Sequence, residues 1–333
     1  MNRQVYGQAK RICGVPLPRL AAAHHWRVCL IAAAALLGFS PGLSAEQLQV
    51  AATIKPVHSL VSAVMAGVAT PGLVIKGATS PHNFAMRPSS ARMLEQADVV
   101  FLVGEAVETS VMQSIVTLAP DARVVELAAA EGMVLRRLRE GGNFERNSHT
   151  QRHAGAVDGG QGGTAFDMHV WLDPVNAGVM VRAIAEVLGE ADPGNAATYA
   201  ANAERLQVEL RQLGEEVAAT LAPVQDQAFL VFHDAYQHFE ARFGLFAAGS
   251  AVVSADRSPG VRRIRELRAK VQELGVTCVM FEPQFDPRIV HVIAQGTEAK
   301  VGSVDPLGST IDSGPEFYAT LLRNVAASFK DCL

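Results

Sequence analysis

With 333 residues, 49% of them hydrophobic, the chain is long enough for two domains with ordinary cores. The formal charge of −4 becomes about −9 once the first 45 residues are set aside, because they hold five of the 29 basic residues and none of the 33 acidic ones, leaving 24 against 33. An acidic remainder of this kind argues against a nucleic-acid partner.

The first segment carries Arg3, Lys10, Arg11, Arg19 and Arg27, then an apolar run from Val28 to Phe39, then small residues to Ser44-Ala45 before Glu46. That is the order of a secretory signal peptide, expected over 1–45 with cleavage near Ala45. The run falls well short of the ~20 apolar residues of a spanning helix. Cys29 opens the run where a lipoprotein cysteine would close it, which argues against a lipid anchor. With Cys13 also inside this segment, the exported chain keeps Cys278 and Cys332. An even pair in an oxidising compartment most simply forms one disulfide, the alternative being two zinc thiolates.

Beyond Glu46, short β-branched runs alternate with amphipathic stretches, the pattern of α/β units around mainly parallel sheets. Leu48 to Ile54 and Gly72 to Ile75 read as strands flanking a helical stretch from His58 to Ala66. Ser89 or Ser90 can cap a helix through Leu94, and Asp98 to Val103 and Ala122 to Glu126 read as strands that complete a first lobe over 46–173. From Gly141 to Asp167 the chain has seven glycines with His149, His153 and Asp158 and no apolar periodicity, so a flexible surface insertion is predicted there.

Asp173 is the predicted N-cap, and Pro174 the first residue, of a helix over 174–190 that connects the lobes, with Val175, Val179, Ile184 and Val187 as apolar positions. Asp192-Pro193-Gly194 breaks it, and 191–333 forms the second lobe. That lobe is expected to contain a helix from Asn195 to about Leu221, the strand Ala228 to Phe232, and a helix capped by Asp234 and stopped by Gly244. Strands near Ala251 to Ser254, Val276 to Phe281 and Val301 to Val304 then alternate with helices over Gly260 to Glu273 and Asp286 to Gln295, before a terminal helix from Pro315. The expected fold is therefore α/β, with two similar lobes, each a mainly parallel sheet flanked by helices, joined by one long connecting helix. There is no convincing sequence repeat and no GxxxxGK[ST] nucleotide loop.

His82, His169, His233 and Asp305 each follow an apolar, strand-like run, where the ligand crevices of open α/β sheets form. Three imidazoles and a carboxylate suit zinc. Each also has an ordinary reading: His82 as a loop histidine, His169 as a core histidine satisfied by a carbonyl, Asp305 as the turn former of Asp305-Pro306. Alternation places His169 and Trp171 on one face of an extended segment. His233 ends the run Ala228 to Phe232, where one imidazole nitrogen can bind metal while the other donates to a supporting acceptor. Glu282, after Val279-Met280-Phe281, competes with Asp305 for the fourth place. Separations of 87, 64 and 72 residues match no short zinc signature, and there is no HExxH.

The segments Ile54-Lys55-Pro56, Ser80-Pro81-His82-Asn83-Phe84 with Arg87-Pro88-Ser89, and His169-Val170-Trp171-Leu172-Asp173-Pro174 occur in order with Phe232-His233-Asp234-Ala235-Tyr236, Phe281-Glu282-Pro283-Gln284-Phe285 and Asp305-Pro306-Leu307-Gly308. Together they resemble the periplasmic zinc-binding proteins of high-affinity zinc ABC importers, the ZnuA type, across nearly the whole chain after the signal segment. The resemblance implies two α/β lobes joined by one long helix and a single Zn2+, the transported ligand rather than a catalytic cofactor, held in the cleft by His82, His169 and His233. It implies an aspartate at the position of Asp305, where water or another carboxylate also serves in some zinc receptors. Manganese and iron relatives place a carboxylate where His233 stands, and imidazole-rich sites suit zinc. His58, His238 and His291 are not implied as ligands.

The Cys278–Cys332 pair resembles the family's second-lobe disulfide. The expected protein is a monomeric periplasmic receptor without enzymatic activity, serving an integral-membrane permease driven by a separate ATPase. The rivals are a manganese or iron receptor of the same family, a secreted zinc hydrolase with Glu282 as base, and a metal-independent adhesin.

Overall fold

Strands of two to four residues build two parallel sheets, and the helices between them carry the chain back to the start of each strand. The computed structural model describes residues 47–139, 144, 166–252 and 259–333. The expected signal segment 1–45, and all of the glycine-rich stretch 141–167 except 144, 166 and 167, lie outside the described residues.

In the first lobe, β1 (Val50–Ala52) leads into α1 (Lys55–Val64), then β2 (Gly72–Leu73), α2 (Pro88–Glu95), β3 (Val99–Leu102), α3 (Glu105–Leu118) and β4 (Arg123–Glu126). The sheet order is β2-β1-β3-β4, all parallel. A two-stranded antiparallel ribbon follows, β5 (Arg136–Arg137) with β6 (Phe166–Asp167). Two long helices, α4 (Pro174–Ala191) and α5 (Ala196–Leu221), then pack on each other. The second lobe comprises β7 (Phe229–Val231), α6 (Gln237–Phe243), β8 (Ala247–Ser250), α7 (Val261–Glu273), β9 (Cys278–Phe281), α8 (Arg288–Ala294), β10 (Lys300–Ser303) and α9 (Phe317–Cys332). Its order is β8-β7-β9-β10, again all parallel, so the two sheets share one path. In both, the order reverses beside the first strand, which opens a crevice at the carboxyl ends.

The larger core cluster unites β1 and β3 with α4, α5 and α9, and a second cluster gathers Leu230, Phe232, Leu267, Val279 and Ile293 on the far side of the second sheet. In α9, Phe329 stands 5.0 Å from Phe229, 5.6 Å from Phe239 and 5.7 Å from Tyr236, ring to ring. All four are essentially fully buried, each worth roughly 1.5–3 kcal/mol of apolar transfer. Among the described residues no helix is long and apolar enough to cross a membrane.

Several local expectations change. Ser90 does not cap α2; its hydroxyl donates to the Val74 carbonyl at 2.7 Å, and Pro88 starts the helix. Asp234 does not cap α6, which begins three residues later without a side-chain cap, because its carboxylate is drawn to Arg139. The strand after Gly244 is Ala247–Ser250, which starts before the expected run near Ala251 to Ser254 since parallel pairing with β7 overrides the weak β preference of alanine and glycine; Ala251 and Val252 extend the ladder by donating to the Val231 and Phe232 carbonyls, and 253–254 lie outside the described residues. His169 and Trp171 do not share the face of an extended strand, because Val170–Leu172 coils into a 3-10 turn. Asp173 does cap α4, accepting from the Val175 amide at 2.9 Å.

Cys278 on β9 and Cys332 at the end of α9 form a disulfide, with Cα atoms 5.7 Å apart. It fastens the terminal helix to the second sheet, and Gly302 makes room for it: a Cβ there would lie 2.6 Å from Cys332 Sγ and 2.7 Å from Met280 Sδ. The two cysteines are 54 residues apart, so chain entropy alone gives a stabilisation of roughly 4 kcal/mol. The double variant Cys278→Ser/Cys332→Ser is expected to lose about that much in urea unfolding, and Gly302→Ala to be destabilised even with the disulfide formed.

Candidate metal centre

Three loops at the carboxyl ends of the sheets carry the three histidines. His82 sits in a 3-10 turn, Pro81–Asn83, where Pro81 limits the backbone and the Ser80 hydroxyl accepts from the His82 amide at 3.3 Å. His169 lies between the β5–β6 ribbon and the turn that leads into α4. His233 follows β7, next to the point where the strand order reverses. His169 and His233 keep only 9% and 8% of their surface, while His82 is half-buried.

The imidazoles converge. Ring centroids are 5.2 Å apart for His169 and His233, 5.7 Å for His82 and His169, and 6.1 Å for His82 and His233. One nitrogen from each ring lies within 4.8 Å of the other two. Nε2 of His169 and Nε2 of His233 are 3.4 Å apart. Two nitrogens each about 2.0–2.1 Å from a tetrahedral ion stand about 3.3–3.4 Å from each other, so this edge already has the length that zinc requires.

Two buried carboxylates set the direction of the lone pairs. Asp167 Oδ1 accepts from His169 Nδ1 at 2.7 Å and from the His169 amide at 3.0 Å. Glu282 Oε1 accepts from His233 Nδ1 at 2.6 Å. With Nδ1–H committed to a carboxylate, each ring presents an unprotonated Nε2 to the other, which is repulsive unless a cation lies between them. Burial lowers the pKa of His233, but the Glu282 charge and hydrogen bond outweigh it and the value is raised. Burial pushes His82 down to about 3, helped by the facing His169 and His233. Burial opposes ionisation of Asp167 as well, yet His169 brings its pKa below the ordinary value.

Pro81, Trp171, Phe285, Pro306 and Leu307 join the three imidazoles, Ser80, Glu282 and Gln284 around a partly open cavity of about 10 Å³, the space of one water or one ion. Glu282, the candidate base, is engaged with His233.

Asp305 stands outside the group of three nitrogens. Its Oδ1 accepts from Gln284 Nε2 at 2.7 Å and the Leu307 amide at 3.0 Å, and its Oδ2 from the Ser309 amide at 2.5 Å and hydroxyl at 2.6 Å. The same loop is gripped from the first lobe by Lys55, whose ammonium donates to the carbonyls of Gly308, Ser309 and Ile311 at 3.1, 3.0 and 2.8 Å. Burial lowers the Lys55 pKa against the pull of Asp305 and Asp312. Of the other histidines, His58 bonds to the Pro71 carbonyl at 3.1 Å and His238 to the Asp167 carbonyl at 2.8 Å, so both are satisfied inside the fold. Asp167 escaped the sequence reading, although an acidic residue two positions before a histidine is the signal that could have found it.

Residues 50–332 match the family described as zinc-uptake complex component A, periplasmic. The high-affinity zinc uptake system protein ZnuA of Brucella abortus (strain 2308) is 43% identical over 324 residues, covering 91% of this chain and 97% of that protein. The protein of the same name from Yersinia pestis is 29% identical over 315 residues, covering 92% and 98%. A crystal structure of ZnuA superposes with a TM-score of 0.71 at 20% identity, covering 86% of this chain and 99% of that one, and so shares its fold. By the extent of the family match and of the Brucella relative, the chain belongs to the ZnuA family of periplasmic zinc-uptake components.

Proposed function

We propose that this chain is the periplasmic receptor of a zinc ABC importer, capturing Zn2+ between its lobes and delivering it to an integral-membrane permease driven by a separate ATPase. The observation that carries the reading is the convergence of three imidazoles from three separate loops, two of them oriented by buried carboxylates. Nitrogen-rich donor sets favour zinc over manganese, which prefers oxygen. Family membership and the names of the relatives support both the cargo and the compartment.

The assigned ligands are His82, His169 and His233. Asp305 is the candidate for the fourth position, which it can take only by giving up its bonds to the Ser309 amide and hydroxyl. Zinc joining loops from both lobes stabilises their closed arrangement, and release requires the permease to favour a state with weaker coordination. The engagement of Glu282 with His233 favours a receptor over a hydrolase.

The deciding measurement is equilibrium zinc binding, in competition with manganese, by metal-free protein lacking residues 1–45. One-to-one binding that prefers zinc is expected, and indifference to zinc or preference for manganese would overturn the reading. His82→Ala, His169→Ala and His233→Ala are each expected to weaken zinc by more than the about 10–100-fold that loss of a supporting partner costs. Asp305→Asn is expected to weaken it less than any of the three.

Protons compete with the metal, and the raised pKa of His233 makes that competition begin above the ordinary imidazole value of about 6.5. Zinc affinity is therefore expected to fall as pH drops through the raised His233 value. In Glu282→Gln the pKa moves down, so the midpoint of the pH profile should shift to lower pH while affinity at alkaline pH also declines. In the metal-free protein the linkage to folding is opposite for two of the ligands. His233 contributes stability that is full below the unfolded value of about 6.5 and lost as pH rises through its folded value. His82 contributes stability that is full above about 6.5 and lost as pH falls toward about 3.

A further inference from the structure

The β5–β6 ribbon bonds to His169, and the residue two positions beyond its first strand bonds to the neighbour of His233. On one strand Asp167, paired in register with Arg136, orients His169 through its carboxylate. Two residues beyond the other strand, Arg139 reaches the second lobe. Its Nε donates to Asp234 Oδ2 at 3.0 Å and its Nη2 to Asp234 Oδ1, while Nη1 and Nη2 donate to Glu240 Oε2 and Oε1 at 2.7 and 2.9 Å. The Arg139 side chain is 16% exposed, Asp234 17% and Glu240 3%. The Phe144 ring covers the guanidinium at 4.0 Å. Glu240 Oε2 also accepts from the Ala247 amide at 2.9 Å, which carries the link to β8.

Asp234 is the neighbour of His233, so the guanidinium anchors the side chain next to the histidine while Glu282 bonds its ring. Helix α6 is docked to the His169 segment twice more. Arg242 makes a two-pronged pair with Asp173 at 2.8 Å on each prong, and His238 bonds the Asp167 carbonyl. Arg139 is the only one of these groups whose charge serves two carboxylates at once, and its planar fork is what lets it do so. Burial opposes its charge, and Asp234 and Glu240 override that, raising its pKa further above the ordinary guanidinium value.

We infer that Arg139 is a positioning residue for the captured metal: from the ribbon that orients His169 it holds the His233 turn at the separation the ion needs, and its loss speeds metal release. The inference rests on the zinc-receptor reading. Arg139 does not line the ion's cavity, so the rate of entry is not expected to depend on it. Perturbation of pre-formed contacts of this kind acts mainly on dissociation.

The test is stopped-flow release of Zn2+ into excess chelator, with association rates and the melting temperature of the metal-free protein, for the parent, Arg139→Lys and Arg139→Gln. Arg323→Gln serves as the control, since Arg323 forms a half-exposed ion pair with Glu216 and neither lines the ion's cavity. Release is expected to be about 10-fold faster in Arg139→Gln, on the scale of other supporting partners of metal ligands, with association within about twofold. Arg139→Lys should fall between it and the parent, and adding Asp234→Asn to Arg139→Gln should change little more, because the two residues act as one unit. Release within about twofold of the parent, in whichever of the two Arg139 variants folds, overturns the inference. So does acceleration matched by Arg323→Gln, which would mark a general loss of stability. A parent protein that takes up no zinc defeats the receptor reading itself, whereas a binding parent with unchanged variants defeats only the role of Arg139.

Discussion

The site depends on two carboxylate–imidazole pairs more than on any other interaction. Asp167 with His169 and Glu282 with His233 commit each Nδ1–H and leave both Nε2 lone pairs facing each other across 3.4 Å. Both acids are buried to within 1% of full occlusion, and a charged acid there is tolerated because the histidine supplies a donor at once. The arrangement is stable only with positive charge between the rings, whether a shared proton or a metal ion. The two rings are thereby oriented by the fold itself, as pre-organisation of a ligand site requires.

The rest of the molecule keeps those pairs at a fixed separation. Trp171, two residues past His169, donates its indole N–H to the Pro306 carbonyl at 2.9 Å, and its own carbonyl accepts from the Tyr318 hydroxyl at 2.7 Å. Ser59 on α1 accepts from the Tyr318 amide and donates to the Pro315 carbonyl. Lys55 grips the loop that follows Asp305. These bonds join the first-lobe helix α1 and the His169 segment to the terminal helix and the Asp305 loop, while α4 and α5 pack along one another beside them. A fold laced in this way permits small shear or rocking of the lobes and disfavours wide opening.

Much of this was legible in the sequence because the relevant physics is local. Asp173-Pro174 as a helix start and Gly244 as a helix stop are short-range signals, and both appear where the pattern puts them. Three misplacements share one cause. Ser90, Asp234 and the start of β8 were assigned by their immediate neighbours, and each was claimed by a distant partner: the Val74 carbonyl, the Arg139 guanidinium and the β7 backbone. The β5–β6 ribbon was missed altogether, because two-residue strands separated by a long glycine-rich stretch leave no periodicity to read.

The sequence by itself determined the α/β architecture, the order of strands and helices, and which histidines follow apolar runs, since hydrophobic period and turn chemistry depend on residues within a few positions. It also marked Glu282 as an acid at a strand end without deciding what it does. Only the tertiary structure decided that Glu282 and Asp167 hold imidazoles, that three histidines come together while the Asp305 carboxylate turns into its own loop, and that Arg139 spans from the ribbon to the His233 turn. Apart from Asp167 beside His169 and Asp305 within its own loop, those outcomes turn on distances between residues tens of positions apart or more. Such distances are fixed by how sheets and helices pack, and no local pattern in the chain encodes them.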